Sequence, residues 1–201
     1  MRRATHRPHR VLAAAVVLAV AFAGCGSDDK SDTSNARTGL ERRIDAMEKR
    51  AKRAPSDPKP YAELAKLHFQ AATLKREGQG YSDEGKAELR KAASAWERYL
   101  SLDPKRVDTD VAQLISAAYG PGLLDDPKRA VAVQQVLVEN TSPPRAGAYV
   151  QLAQMAYSAG ERDVGDRAAK RAVELSKPER QKKLRARLKA ARTQLAPQPE
   201  P

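Results

Sequence analysis

Residues 149–160, Tyr149-Val150-Gln151-Leu152-Ala153-Gln154-Met155-Ala156-Tyr157-Ser158-Ala159-Gly160, decide how the rest of the chain is read. Leu152, Ala153 and Tyr157 lie three, four and eight positions after Tyr149, so all four share one face of a helix. Gly160 then breaks it. The same spacing stands twice more upstream, as Tyr61, Leu64, Ala65 with Phe69 and as Val111, Leu114, Ile115 with Tyr119. Each apolar-periodic stretch runs into proline, at Asp103-Pro104, Pro143-Pro144 and Lys177-Pro178. Proline removes a backbone donor and pushes its predecessor out of helical conformation, so these are helix ends. The closing prolines are separated by 39 and 35 residues, a period that marks stacked helical hairpins.

The second half of each unit carries a small residue with a partner four positions on: Ala92 with Trp96, Ala130 with Gln134, and Gly165 with Ala169. With Tyr61/Leu64/Ala65, Val111/Leu114/Ile115 and Tyr149/Leu152/Ala153 these resemble the two helices of a tetratricopeptide repeat, from about Pro58 to Pro178. The resemblance implies an all-α fold, a tetratricopeptide-like hairpin array of about three repeats. The middle unit departs from the family pattern, since Gln134 is polar where a core residue is expected and Gly120-Pro121-Gly122 lengthens the turn. The first unit is long, 43 residues from Tyr61 to Pro104 against 29 from Tyr149 to Pro178. Its surplus, Lys75 to Glu84 with Gly78 and Gly80, is expected as a surface loop or as longer flanking helices. The stretch from Ile44 through Asp57, Pro58 and Tyr61 also resembles the start of the repeats in bacterial cytochrome c assembly factors.

Helices flank the array on both sides. Leu40, Ile44, Met47 and Ala51 share one face, opposite Arg42, Arg43, Lys49 and Arg50, in a helix that stops near Ala54 before Pro55, Pro58 and Pro60. Pro178 to Leu195 forms a last helix with Leu184, Leu188, Ala191 and Leu195 on one side. A stack of hairpins leaves its final apolar face open, and a helix with one apolar and one charged side caps it. Residues 197–201 read as a short extended tail.

The first 24 residues read as a signal peptide: four arginines by Arg10, then thirteen apolar residues from Val11 to Ala23, too few to span ~30 Å of hydrocarbon. Ala23-Gly24-Cys25 resembles the bacterial lipobox, which implies a lipid on Cys25. Phe22 stands where that motif usually has Leu, and Ala21-Phe22-Ala23 also fits an ordinary signal-peptidase site, so lipid anchoring outside the cytoplasm and plain secretion are both open. Residues 25–38 are polar and read as a flexible tether, leaving 39–196 for the folded array.

Charged residues make up 31% and aromatics 4%, a composition suited to helices. The formal charge is +12, of which the leader's four arginines supply four, leaving +8. With one cysteine and, after the leader, only His68, no cofactor, metal or Cys/His catalysis is expected, and no enzyme. His68 reads as a surface or packing residue. Gly80-x4-Gly85-Lys86 approximates a phosphate-binding loop, but Ala87 replaces the magnesium-binding hydroxyl and no strand precedes it. Its glycines read as helix breaks, with Ser82 or Asp83 capping the next helix.

Phe69, Tyr119 and Tyr157 stand at equivalent places in three units. In tetratricopeptide arrays that position faces the concave surface, with the places held here by Lys66, Ser116, Gln154 and Gln70. The resemblance therefore implies a partner-binding groove made of Lys66, Phe69, Gln70, Ser116, Tyr119, Gln154 and Tyr157. A ring ladder of this kind suits an extended or helical peptide. The function expected is a membrane-tethered adaptor or scaffold that binds an envelope protein or peptide. The alternatives are a polyanion or anionic-lipid binder using the basic last helix, or an accessory factor in extracytoplasmic assembly of the cytochrome c type. Nucleic acid is not an expected partner, because the basic residues lack interleaved aromatics.

Overall fold

The computed structural model describes residues 29–78 and 80–195, with side chains from Arg37 onward. The leader, Cys25 and the 197–201 tail lie outside them. Among the described residues there are eight helices and one two-stranded ladder: α1 Asp29–Arg53, α2 Lys59–Thr73, β1 Arg76–Glu77, β2 Gly80–Tyr81, α3 Asp83–Ser101, α4 Thr109–Ala118, α5 Pro127–Glu139, α6 Ala146–Ser158, α7 Arg162–Glu174 and α8 Pro178–Gln194. The fold is an all-α hairpin array. Hairpins α2/α3, α4/α5 and α6/α7 follow one another, α1 packs on α2, and α8 lies across α6 and α7.

Capping residues explain the boundaries. Ser82 Oγ accepts from the Gly85 amide at 3.2 Å and opens α3, while Asp108 accepts from Asp110 and Val111 to open α4. Asp126 accepts from Arg129, with Pro127 in the first turn of α5, where its missing donor costs nothing. Gly160, at φ +77°, takes the left-handed turn that separates α6 from α7.

The surplus of the first unit resolves into a small antiparallel ladder pairing Arg76 with Tyr81 and Glu77 with Gly80. The P-loop-like glycine has a packing reason instead: a Cβ at Gly85 would lie 3.0 Å from the Lys75 carbonyl and 3.2 Å from the Tyr81 ring. The tether expectation needs correction over residues 29–38, because α1 already begins at Asp29, eleven residues before Leu40. The packed segment from Leu40 supplies the nucleus from which α1 extends toward its N-terminus through Gly39.

Two main clusters make the core. Trp96, Tyr99, Val111, Ile115 and Tyr119 belong to one, shared by the first two hairpins. Leu152, Tyr157, Ala172, Val173 and Leu188 belong to the other, which joins the third hairpin to α8 and borrows Val131 and Val138 from α5. The stacking changes between them. In the first junction α2 packs on α4, whereas the third hairpin meets the second mainly through α5 and α6. Gln134 is buried within the second hairpin at 6% exposure and accepts a long 3.5 Å hydrogen bond from Ser116 of α4.

Candidate functional site

The residues of the expected groove divide by chemistry. The rings turn inward. Tyr119 is 3% exposed and Tyr157 2% exposed, and Phe69 is half-buried against the first core. The Tyr157 ring lies over Gly165 of α7, where an added Cβ would fall 2.4 Å from its Cε1 atom. Two of the three rings therefore lock hairpins and offer a ligand at most their hydroxyl edges. This corrects the ring-ladder expectation. Gly165 lets α7 approach the Tyr157 ring, which leaves no room beside it for a ligand.

The hydroxyls are engaged. Tyr157 donates to Asp166 at 3.0 Å, and the same carboxylate accepts from Nε and Nη2 of Arg192 at 2.8 and 3.0 Å, which ties α6, α7 and α8 together. Burial and the Asp166 carboxylate push the Tyr157 phenol up to about 12. Tyr119 donates to Glu97 at 3.4 Å, and the Arg129 guanidinium lies 5.9 Å from its ring centre.

The polar members keep contact with solvent. Lys66, Ser116 and Gln154 occupy equivalent places on α2, α4 and α6, and each is half-buried. Lys66 Nζ lies 2.7 Å from Asp108 Oδ2, a link from the middle of α2 to the cap of α4. Burial pushes the Asp108 carboxyl up, but the Lys66 amine and the Val111 and Asp110 amides outweigh it and hold it below its ordinary range. Lys66 is raised in turn, chiefly by that hydrogen bond. The pair borders an open cavity of about 650 Å³ between the start of α2 and the α3–α4 connection, with Ala62, Leu102 and Pro104 on its apolar wall. Gln70 is exposed and faces elsewhere, into a cleft of about 540 Å³ against Leu40 and Arg43 of α1. The seven residues lie on α2, α4 and α6 or, for Tyr119, at the end of α4, and Lys66 and Gln70 border separate cavities.

Sequence reasoning missed Asp108 as the ion-pair partner of Lys66. Its signal was present locally, since Asp108-Thr109-Asp110 before an apolar run reads as a helix cap. The lysine it meets lies 42 residues away and has no such signal. His68 is buried at 6% exposure, and its Nδ1 donates to Glu88 Oε2 at 2.7 Å. It is a packing histidine. Burial pushes Glu88 up, but His68 and Lys91 overcome it and lower the carboxyl. Among the described residues no cluster of three or more His, Cys, Asp or Glu is arranged to hold a metal, and no helix is long and apolar enough to cross a membrane. No family model, curated protein or solved structure matches the chain.

Proposed function

We propose that the chain is a tetratricopeptide-type adaptor, exported and held at a membrane by a lipid on Cys25, that gathers another envelope protein or peptide on the first helices of its hairpins. The observation that carries this reading is the Lys66–Asp108 pair at 2.7 Å beside the 650 Å³ cavity. A half-buried ion pair that joins two successive hairpins presents a cation and an anion at fixed separation. A peptide backbone or charged side chain can exchange with either member while its apolar groups rest on Ala62, Leu102 and Pro104. The half-buried Ser116 and Gln154 extend the same polar register along α4 and α6.

Crosslinking from a photoreactive residue at position 66 in native membranes tests the reading. A defined partner captured at 66 and lost with Asp108→Ala supports it, while identical capture from a control position on the α7 surface overturns it. Cys25→Ser tests the anchor separately: release of the protein from membranes is expected, and unchanged membrane association would leave no role for a lipid on that cysteine.

A further inference from the structure

A second cavity, of about 390 Å³, lies at the other end of the molecule between α7 and the closing helix α8. Its floor is apolar, made by Ala169 and Val173 of α7 and Leu188 of α8. Lys170, Arg185 and Lys189 stand around it. The two acids at the same rim are already engaged. Asp166 holds Arg192 and the Tyr157 hydroxyl, and Glu174 pairs with Arg171 at 3.1 Å. Among the described residues Lys170, Arg185 and Lys189 form no ion pair, and Arg185 makes only a 3.4 Å hydrogen bond to Gln181.

Capping an array requires a solvated outer face, and a mixture of both charge signs would provide one. Here α8 carries seven Lys or Arg and a single acid, Glu179. The positive excess next to an apolar floor selects among ligands. An anionic polymer would use the cations and leave the floor wet, while a neutral apolar molecule would use the floor and leave the cations unmatched. A ligand that is both apolar and anionic uses both, and the volume lies in the ~300–1,000 Å³ range of small-molecule sites. We propose that this cleft binds a single-chain anionic amphiphile, its tail on Ala169, Val173 and Leu188 and its phosphate or carboxylate head among Lys170, Arg185 and Lys189.

The test uses the full chain carrying Cys25→Ser, titrated below the critical micelle concentration with dodecyl phosphate, dodecanoate, dodecyl maltoside and inorganic phosphate. Methyl resonances of Val173 and Leu188 report the location. The expected result is that an anionic dodecyl probe shifts both residues and binds at least about tenfold tighter than dodecyl maltoside or inorganic phosphate. The two anionic probes distinguish a phosphate from a carboxylate head. Arg185→Gln combined with Lys189→Gln should remove the advantage over the neutral probe, and Ala169→Leu should weaken binding of the anionic dodecyl probe toward that of inorganic phosphate, with helix content unchanged by circular dichroism. Equal binding of the neutral probe overturns the proposal, as does equal binding of inorganic phosphate. Attachment to anionic vesicles without methyl shifts also overturns it and assigns the basic face to surface adsorption. If Ala169→Leu loses its helix content, the glutamine pair decides alone, since both side chains are exposed.

Discussion

At the scale of single residues, the contact between Gly165 and Tyr157 sets how closely the third hairpin closes. In a solvated helix interior, replacing glycine by alanine gains up to ~1 kcal/mol of helix propensity. Here the added Cβ would meet the Tyr157 ring at 2.4 Å, and overpacking a filled core costs about 1–3 kcal/mol, so the clash wins. Gly165→Ala should lower the urea midpoint, and adding Tyr157→Leu should recover part of the loss, because the two residues are in direct contact and their effects are not additive. A double-mutant cycle measures that coupling. Additive losses would show that the ring and the glycine are independent. The Tyr157 phenol gives a second expectation. Its folded value of about 12 lies above the unfolded value near 10, so the stability it contributes is full below pH ~10 and is lost as pH rises toward 12. Burial also raises Tyr99 and Tyr119, so ultraviolet titration should show tyrosine ionisation extending to high pH, and Tyr157→Phe should remove the step near 12.

At the scale of elements, helix ends were legible and side-chain partners were not. The prolines at 55–60, 104, 143–144 and 178 bound helices because a proline acts on its own backbone and its neighbour, a strictly local effect. Gly120-Pro121-Gly122 likewise fell in the turn between α4 and α5, as its glycines and proline read. Three things escaped. The start of α1 depends on propagation from a packed segment, the β1–β2 ladder on a pairing that short polar strands do not advertise, and the inward turn of Tyr119 and Tyr157 on how closely the second helices approach. The Lys66–Asp108 pair belongs with them, since its members are distant in sequence. That pair has a testable sign. The folded Asp108 carboxyl is depressed, so its contribution is present above the unfolded value of ~3.9 and is lost as pH falls through the lower folded value. Asp108→Asn keeps a capping acceptor but removes the charge, and should flatten the loss of stability below pH ~4. Asp108→Ala should cost about 0.5–2 kcal/mol at neutral pH through the lost cap of α4. Denaturant midpoints across the acid range check both.

At the scale of the whole molecule, the division into two clusters decides how the array comes apart. In a stack of hairpins each unit gains stability mainly from its neighbours, so a local loss propagates only as far as the interfaces stay coupled. Here the first cluster joins α2 to α5 and the second joins α6 to α8, with Val131, Val138 and the half-buried Met155 as the apolar links between them. The closing helix α8 reaches the core chiefly through Leu188 and Ala191, with Leu184 half-buried and Leu195 left 39% exposed. Leu188 is the largest fully packed apolar side chain that α8 contributes, beside the Arg192–Asp166 link. Leu188→Ala should cost about 2–5 kcal/mol by lost burial and the cavity it leaves. The loss should fall unevenly. Amide exchange in α6, α7 and α8 should quicken to the rate of local opening, while α2, α3 and α4 keep the protection set by Trp96 and Ile115. The reciprocal change, Ile115→Val, should cost about 0.5–1.5 kcal/mol and leave the third hairpin protected. Uniform acceleration in both variants would mean that Val131, Val138 and Met155 fuse the clusters into one cooperative unit. In that case a ligand held at α7 and α8 would stabilise the Lys66–Asp108 end as strongly as its own.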